Sequence, residues 1–390
     1  MERNASRSIV RGIMTEFANL TGLSPVAKRP RRYLWTDAFA VCNFLELFGQ
    51  AGDETYKDLA LRLVDQVHRT LGRHREDDAR TGWISGLDER QGKLHPTKGG
   101  LRIGKEMNER GPGDPFDERV EWDRDGQYYH YLTKWMHALN RVTRVTEHSS
   151  YNRWAMELAK TAHAGFTYVR PSGGQKRMYW KMSIDLSYPL VQSMGHHDPL
   201  DGLITYSQLQ ATGAQDPEKP APDLSGEIAD MARICEGKSW ATDDPLGLGG
   251  LLSDAFRLAQ LIVNENLEQT GLLETIVDSA LLGLETYARR NFFKLPADYR
   301  LAFRELGLSI GLRAIGKLKG LIEGHPGHLN EEQSLLSQIE ILMRYAPLID
   351  TIEKFWLDPA NREADTWSAH REINMVMLAT SLAPDGYLAL

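Results

Sequence analysis

Cysteine is scarce in this sequence, since only Cys42 and Cys235 occur among 390 residues. Both lie within apolar, helix-like patterns, which indicates buried free thiols in a reducing compartment and not a disulfide framework. No apolar run approaches the roughly 18 residues that cross a bilayer, and no apolar segment follows the first residues as in a signal peptide. We therefore expect a cytoplasmic location and no membrane partner.

An excess of positive charge is also lacking. The formal net charge is −7, and the only dense basic run lies at residues 28–32. Nucleic-acid binding needs clustered Lys and Arg, so we expect no nucleic acid as a partner. The chain has no Gly-x-Gly-x-x-Gly motif after a strand, no phosphate-binding Walker loop and no Gly-x-Ser-x-Gly elbow. These absences leave no sign of a cofactor, and we expect none.

Helical periodicity is what the sequence does contain. One set of apolar residues steps by four, three, four and three positions: Tyr128, Leu132, Trp135, Leu139 and Val142. This spacing predicts one face of a helix, and the opposite face is apolar too, which is typical of a helix buried between layers. Residues 56–71 carry apolar side chains on one face only. The sequence therefore predicts buried inner helices that alternate with one-sided outer helices.

A weak internal repeat supports this alternation, because the pattern Tyr-x-x-apolar-Ala-x-x-Leu starts at Tyr56 and again at Tyr151. We predict six inner helices that start near Asp37, Asp125, Asp201, Pro245, Tyr299 and His370. We predict outer helices near residues 55–72, 150–168, 224–236, 271–290 and 331–356, and an N-terminal helix at about 6–20 that pairs with the last inner helix. Repeated helix hairpins predict a single all-α domain over residues 1–390, an (α/α)6 toroid.

Two stretches interrupt the helical pattern. Residues 81–118 are rich in Gly, Pro and charge and are too long for a plain connection, which predicts a functional loop or lid. Lys98 and Arg102 in this loop are candidates to hold a carboxylate or phosphate on a sugar, a solvated loop being the alternative. The glycines of residues 247–250 indicate close helix packing or a turn.

Acids and histidines beside Trp or Pro mark the predicted inner helix starts. The segments are Trp35-Thr36-Asp37, Glu121-Trp122-Asp123-Arg124-Asp125, His196-His197-Asp198-Pro199-Leu200-Asp201, Thr242-Asp243-Asp244-Pro245 and Trp367-Ser368-Ala369-His370. Helix capping explains any single Asp but does not require neighbouring Trp and His. In a toroid these starts share one rim of the central cavity. Sugars stack on aromatic rings and bond to polar side chains, so the set predicts a carbohydrate site there.

The alternating hairpins, the Trp-x-Asp helix start and the stretch from Glu121 to Leu132 resemble the six-hairpin glycosidase superfamily. They also resemble its neighbours, the N-acylglucosamine and cellobiose 2-epimerases. The resemblance covers most of the chain at the level of architecture and is specific at the helix starts. It implies a toroid with a carbohydrate-active site in its cavity.

The leading hypothesis is an inverting glycoside hydrolase that acts on a small intracellular glycoside. One carboxylic acid protonates the leaving oxygen and a second carboxylate activates water. The catalytic candidates are Glu121 or Asp123 as acid and Asp198 or Asp201 as base, with His370 beside them. The substrate-binding candidates are Trp35, Asp37, Trp122, Tyr128, Tyr129, Trp180, His197, Asp244 and Trp367. The adjacent acids Asp77 and Asp78 resemble the catalytic pair of mannan-degrading toroids but follow an outer helix.

Two other functions stay open. A sugar 2-epimerase or isomerase would use His197 and His370 to move the proton next to a carbonyl, because histidine titrates near neutrality. A glycan-binding or scaffold toroid would need no catalysis. We expect no metal, since His196 and His197 are adjacent and point apart on a helix. The expected partner is a small carbohydrate, and the expected state is a monomer or a weak homodimer.

Overall fold

The computed structural model of the protein describes residues 2–215, 222–290, 292–329 and 332–390. Its helices are α1 (Glu2–Leu20), α2 (Leu34–Ala51), α3 (Glu54–Leu71), α4 (Glu89–Leu94), α5 (Glu118–Glu121), α6 (Tyr129–Thr146), α7 (Ser149–Phe166), α8 (Asp198–Ala214), α9 (Ser225–Cys235), α10 (Pro245–Glu265), α11 (Thr270–Arg289), α12 (Ala302–Gly324), α13 (Glu332–Met343), α14 (Pro347–Leu357), α15 (Asp365–Ser368), α16 (Arg371–Leu382) and α17 (Asp385–Leu388). Its strands are β1 (Gln127–Tyr128), β2 (Thr167–Tyr168), β3 (Arg177–Met178), β4 (Lys181–Met182) and β5 (Pro189–Val191). With 65% of the chain helical, the predicted all-α class is confirmed.

These elements form two compact units. The first unit is Ala18–Glu236, and the second unit is Met1–Phe17 with Gly237–Leu390. In the first unit α2, α6 and α8 pack in series, and each also packs on the helix that follows it, α3, α7 or α9. In the second unit α10, α12 and α16 pack in series, with α11, α13 and α14 around them. The predicted alternation of inner and outer helices is therefore present in each unit.

Burial separates the two kinds of helix as predicted. Nearly every residue of α8 from Asp198 to Leu209 is buried, whereas α3 buries mainly the apolar face that contains Leu63 and Val67. The observed inner helices begin within four residues of their predicted starts. One outer prediction is wrong in detail: the helix expected at 331–356 is divided into α13 and α14. Pro347 opens α14, because proline lacks the N–H that a continuing helix requires.

The segment predicted as a loop or lid, residues 81–118, is packed into the first unit as far as Ile103. The backbone N–H of Leu34 donates to the Ile103 oxygen, and that of Ile103 donates to the Gly126 oxygen. Arg102 is buried and bonds the Asp125 carboxylate at 2.6 Å, as well as the backbone oxygens of Arg73 and Thr70. The expected role of Arg102 in holding an anion is therefore corrected, because its guanidinium is already occupied inside the protein. Lys98 is exposed.

A small sheet places aromatic side chains beside α6. Its strand order is β1-β4-β5, and both pairs are antiparallel. Tyr128 lies opposite Lys181, and the N–H of Tyr129 donates to the Trp180 oxygen. The sheet was not predicted, because strands of two or three residues are too short to show a period of two. It fixes Tyr128 and Trp180 next to the start of α6.

Helix α10 of the second unit is long and apolar, and its composition differs from the expectation that no segment could cross a bilayer. Its most apolar window of 18 residues has a mean hydropathy of 1.4, which is enough to span a membrane by length and composition. However, 83% of that window is buried inside the protein. Its charged residues Asp254 and Arg257 pair with each other at 3.1 Å. These are the features of a helix in a protein core.

Glycines bring α10 and α12 into close contact. A Cβ at Gly249 would lie 2.0 Å from the backbone oxygen of Gly307, and a Cβ at Gly311 would lie 2.6 Å from the oxygen of Gly249. The glycine run at 247–250 therefore serves helix packing, one of the two interpretations drawn from the sequence. At the other end of the second unit, Arg371 of α16 pairs with Glu16 of α1. The N-terminal helix thus meets the last inner helix as predicted.

Candidate active site

The first turn of α8 carries two buried carboxylates of the first unit. Asp198 and Asp201 are three residues apart, so they share one face of the helix. Pro199 suits this first turn, where no N–H is needed. The side chains of Asp198 and Asp201 are 7% and 6% exposed, so solvent does little to stabilise their charges. What lies around each one therefore decides its protonation.

Helix α6 neutralises Asp201. The Lys134 ammonium donates to Asp201 Oδ2 at 2.8 Å, and the Thr133 hydroxyl donates to the same oxygen. The Thr205 hydroxyl lies 3.4 Å from Oδ1. Buried carboxylates are stable as anions when they are paired and hydrogen-bonded in this way. Asp201 is therefore a charged anchor between α6 and α8.

Asp198 has no such partner. Its Oδ2 atom is buried without a hydrogen bond, and its Oδ1 atom lies 3.8 Å from Nδ1 of His130, which is also buried and unpaired. The pKa of Asp198 is raised to about 7, mainly by burial and also by the nearby charge of Asp201, while Lys134 and a backbone contact with Gly195 act in the opposite direction. Near neutral pH a proton therefore occupies Asp198 for much of the time.

His130 is the counterpart of Asp198. Burial lowers the pKa of His130 to about 3, and the charge of Lys134 acts in the same direction. The imidazole is therefore neutral at physiological pH. The proton of the pair therefore stays on Asp198, because the His130 ring binds a proton much more weakly than the Asp198 carboxylate does.

Aromatic rings form one wall beside this pair. We call Tyr33, Trp35, Tyr128, Tyr131 and Trp180 the aromatic wall. The ring of Tyr128 lies 5.3 Å from His130 and 5.4 Å from Trp180, and Trp180 stacks on His130 with an interplanar angle of 16°. Trp35 contacts His130 edge-on at 6.0 Å. Flat aromatic faces next to polar groups are typical of sugar-binding sites.

Trp122 extends the aromatic surface outward. Its ring meets Trp180 edge-on at 5.2 Å, and the residue is 46% exposed. Asp123 follows it and is exposed as well, and none of the described residues donates a hydrogen bond to its carboxylate. His197 lies just before α8, and its ring is 4.7 Å from that of His196.

The structure thus collects part of the predicted set and adds residues that were missed. Of the predicted residues, those that lie in or next to the acid pair and the aromatic wall are Trp35, Trp122, Tyr128, Trp180, His197, Asp198 and Asp201. The missed residues are Tyr33, His130, Tyr131, Thr133 and Lys134. A signal for three of these residues was available, because Thr133 and Lys134 follow His130 by three and four positions and so share one helix face with it.

Two predicted residues have structural roles instead. Tyr129 is fully buried, and its hydroxyl donates to that of Tyr206 at 2.8 Å, so it belongs to the core and is corrected as a sugar-binding residue. Asp37 is 1% exposed and pairs with Arg32 at 3.1 Å. It also accepts the N–H of Tyr33 at the start of α2, which is the capping role. Burial raises the pKa of Asp37 to about 6.

Glu121 is likewise occupied. The Lys181 ammonium donates to its Oε1 atom at 2.8 Å, and Arg110 donates to its Oε2 atom at 3.0 Å. Both carboxylate oxygens therefore face cations that stabilise the anion, which is the opposite of what a proton donor needs. The prediction that Glu121 is the catalytic acid is corrected on this ground. Glu121 instead anchors β4 through Lys181. The acids Asp77 and Asp78 are paired too, with Arg75 and Arg80.

The remaining candidates belong to the second unit. Asp244 caps α10 by accepting the N–H of Gly247 at 2.8 Å, and it also pairs with Arg304, so the capping explanation applies. Trp367 is buried and stacks on Trp356 at 5.7 Å. The prediction that its ring stacks on a sugar is therefore corrected. His370 precedes α16 and meets Phe303 edge-on at 5.4 Å. In the described ranges, no three His, Cys, Asp or Glu side chains are grouped to hold a metal ion.

Comparison with known proteins gives structural likeness only. No family model matches the chain, and no curated protein matches it in sequence. The GH76A alpha-1,6-mannanase from Salegentibacter sp. HEL1_6 is similar in structure, with a TM-score of 0.52 and 13% identity over 97% of this chain and 99% of that chain. The cellobiose 2-epimerase from Spirochaeta thermophila DSM 6192 has a TM-score of 0.48 and 13% identity over 96% of this chain and 97% of that chain. A sugar epimerase from a ruminal bacterium has a TM-score of 0.47 and 8% identity over 90% and 87%.

The likeness to the mannanase defines the fold of this chain. It is an (α/α)6 toroid fold, as predicted. Because the two sequences share so few residues, the activity of that protein does not transfer with its fold.

Proposed function

We propose that this protein is a carbohydrate-active enzyme, and specifically a glycoside hydrolase in which Asp198 is the general acid. The observation that carries the proposal is the buried, unpaired carboxyl of Asp198 beside the aromatic wall. A general acid works best when its pKa lies near the operating pH, and burial raises the pKa of Asp198 to about 7. The fold is one that supports carbohydrate chemistry in the similar mannanase.

The roles of the other acids follow from their surroundings. Asp201 is held by Lys134, so its negative charge is available to stabilise positive charge on the sugar ring but not to accept a proton readily. Asp123 is exposed and free of hydrogen-bond donors, so we assign it the activation of water. This reverses the order expected from the sequence, in which Asp123 was the acid and Asp198 or Asp201 the base.

The test compares substrates with poor and good leaving groups. The Asp198→Asn variant should lose activity by about 100-fold or more on alkyl glycosides and disaccharides. It should recover much of that activity on dinitrophenyl glycosides, whose leaving group needs no protonation. The Asp123→Asn variant should lose activity on both, since every substrate needs activated water. The matched control is Asp58→Asn, which changes an exposed acid of α3.

The pH dependence gives a second readout. A general acid must carry its proton, so hydrolysis should decline as the pH rises through about 7, where Asp198 loses it. Full activity of Asp198→Asn on alkyl glycosides would refute the assignment of the acid. We retain as proposals a small glycoside as substrate, a cytoplasmic location and a monomer or weak homodimer.

A sugar isomerase is the second candidate, and the neutral imidazole of His130 is the observation that favours it. In that reaction the Asp198 carboxylate would remove the proton next to the carbonyl and then return it to carbon, while the neutral imidazole of His130 would donate a hydrogen bond to the carbonyl oxygen. Reaction in deuterated water distinguishes the two functions, because only an isomerase places deuterium at C2 of the recovered sugar. Loss of this exchange in His130→Gln or in His370→Gln would show which histidine acts, since the sequence predicted His370 and His197.

A further inference from the structure

Lys105 lies beside Tyr33 at one end of the aromatic wall. The rings of Tyr131 and His130 lie between Tyr33 and Asp198. We infer that Lys105 binds a negatively charged group on the sugar, a carboxylate or a phosphate, and so makes the protein selective for acidic carbohydrates. This inference rests on the proposed carbohydrate site.

The Lys105 ammonium lacks an acceptor. It lies 5.6 Å from the centre of the Tyr33 ring, over its face, and the side chain is only partly exposed. Among the described residues no oxygen accepts a hydrogen bond from it, so three N–H donors remain available. A cation–π contact attracts the charge but satisfies none of these donors. An oxyanion placed there would accept them.

Other lysines of the first unit show what a satisfied buried ammonium looks like. Lys134 donates to Asp201, and Lys181 donates to the Glu121 carboxylate and to two backbone oxygens. Both are buried and both have acceptors, whereas Lys105 is partly exposed and has no acceptor among the described residues. Burial lowers the pKa of Lys105, and the charges of Asp123 and Asp125 oppose this shift.

The nearby carboxylates do not take the place of a ligand. Asp125 is fully buried and is already bonded by Arg102 at 2.6 Å and by Arg75 at 3.3 Å. Asp123 points to solvent and forms no ion pair with Lys105 among the described contacts. The charges of the two acids favour the protonated form of Lys105, but neither acid accepts a hydrogen bond from it.

The backbone next to Lys105 is held in place. Gly104 has φ 95°, and a Cβ on it would lie 2.2 Å from the backbone oxygen of Arg32. Its N–H donates to Asp125 at 3.0 Å, while the Lys105 oxygen accepts from Arg75. A fixed backbone reduces the entropy that a lysine loses when it binds a ligand.

Ring contacts connect Lys105 to the acid pair. The hydroxyls of Tyr33 and Tyr131 are 2.7 Å apart, and the Tyr131 ring lies 4.9 Å from His130. His130 in turn faces Asp198. The rings of Tyr33, Tyr131 and His130 therefore lie between Lys105 and the proposed acid, so in this inference the charged group belongs to a sugar that is not adjacent to the cleaved bond.

The test measures binding of matched neutral and acidic disaccharides to the full chain by calorimetry. The probes are cellobiose and α-1,6-mannobiose, their uronic acid forms and their 6-phosphates. The wild-type protein should bind an acidic form about tenfold more tightly than its neutral parent, the effect of one charge-assisted hydrogen bond. The preference should weaken as salt is raised. The uronic acid and phosphate arms show which anion is recognised.

Variants then assign the preference to Lys105. Lys105→Met should remove it and leave the affinity for neutral sugars unchanged, while Lys105→Arg should keep most of it. Lys93→Met, an exposed lysine of α4, is the matched control and should keep it fully. Equal binding of acidic and neutral forms by the wild type would overturn the inference and leave the proposed function intact. If the wild-type protein binds none of these sugars, both the inference and the proposed function are refuted.

Discussion

Two aspartates on the same turn of α8 differ only in what surrounds them. Asp201 receives a lysine and two hydroxyls from α6 and α8, and Asp198 receives none of these. Both are buried to a similar degree. The same residue type is therefore paired with a cation in one place and favours the neutral acid in the other, because burial without a partner favours the protonated form.

The raised pKa of Asp198 predicts a pH-dependent cost to stability. Its folded pKa of about 7 exceeds the unfolded value of about 3.9, so the folded state binds the proton more tightly. This stabilisation is complete below pH 3.9 and is lost as the pH rises through 7. We compare the free energy of unfolding of Asp198→Asn with that of the wild type at each pH. This difference should favour the variant by about 2–4 kcal/mol more at pH 8 than at pH 4. Urea unfolding at both pH values measures it, and an unchanged difference would contradict the prediction.

Tyr129 provides a test of the division between core and wall. Tyr129→Phe removes one hydroxyl that donates to Tyr206, so we expect a loss of about 1 kcal/mol in the free energy of unfolding. The affinity for sugars should not change. Trp180→Leu, in the aromatic wall, should do the reverse and weaken sugar binding with a smaller effect on unfolding. Weaker sugar binding by Tyr129→Phe would return this residue to the site.

The sequence could not distinguish Tyr128 from Tyr129. Both follow the same acidic segment and both are aromatic. Tyr128 ends β1 and faces Trp180, whereas Tyr129 begins α6 and turns toward Tyr206. That boundary depends on β4, which pairs with β1 from much further along the chain, and local periodicity contains no information about such a pairing.

At the level of helices, the glycine contact between α10 and α12 sets how close the two axes lie. Because the backbones touch at Gly249 and Gly307, no side chain fits between them. We expect Gly249→Ala to destabilise the protein by about 3 kcal/mol or more, since the new methyl group meets backbone atoms that cannot move aside. Gly250→Ala is the control on the next residue, where a Cβ meets nothing within 4 Å. It should stabilise by about 1 kcal/mol through helix propensity, so equal effects in thermal unfolding would contradict the packing.

Helix positions were predictable because many residues contribute to each apolar face. The starts of α2 and α8 lie three residues before their predicted positions, and α10 starts at Pro245 as predicted. The division between α13 and α14 and the small sheet were not predicted, since one proline or two paired residues determine each. A feature that one or two residues determine is hard to recognise in a sequence whose pattern is dominated by long helices.

For the whole molecule, the fold was predictable from sequence and the catalytic constellation was not. His130 and Asp198 lie on different helices, α6 and α8, and meet at 3.8 Å only after those helices pack. The helix starts brought Asp198, Trp35 and Tyr128 into the proposed site, whereas Glu121 and Asp37 are paired with cations. The residue types indicate where sugars could bind, whereas pairing decides which acid can transfer a proton.

Buried groups whose pKa values are shifted in opposite directions determine how the free energy of unfolding changes between pH 4 and 7. His68 is neutral, because it accepts the Trp135 N–H at 3.2 Å and burial lowers its pKa to about 3. Its contribution is present above pH 6.5 and is lost as the pH falls. Asp37 and Asp198 act the other way, since their pKa values are raised and their contributions are lost as the pH rises. Each group changes the free energy of unfolding by up to about 1.4 kcal/mol per pH unit.

Burial also lowers the pKa of His130 to about 3, so its slope has the same sign as that of His68. With two histidines against two aspartates, we expect the opposing slopes largely to cancel between about pH 4 and 6. His68→Gln keeps an acceptor for Trp135 but cannot titrate, so relative to the wild type its stability should fall as the pH rises through this interval. Asp198→Asn should show the opposite trend relative to the wild type. Urea unfolding at pH 4.5, 5.5 and 6.5 (values about one unit apart) measures both slopes. Parallel curves for the three proteins would mean that these groups titrate alike in the folded and unfolded chains, and Asp198 would then lack the raised pKa that a general acid at neutral pH requires.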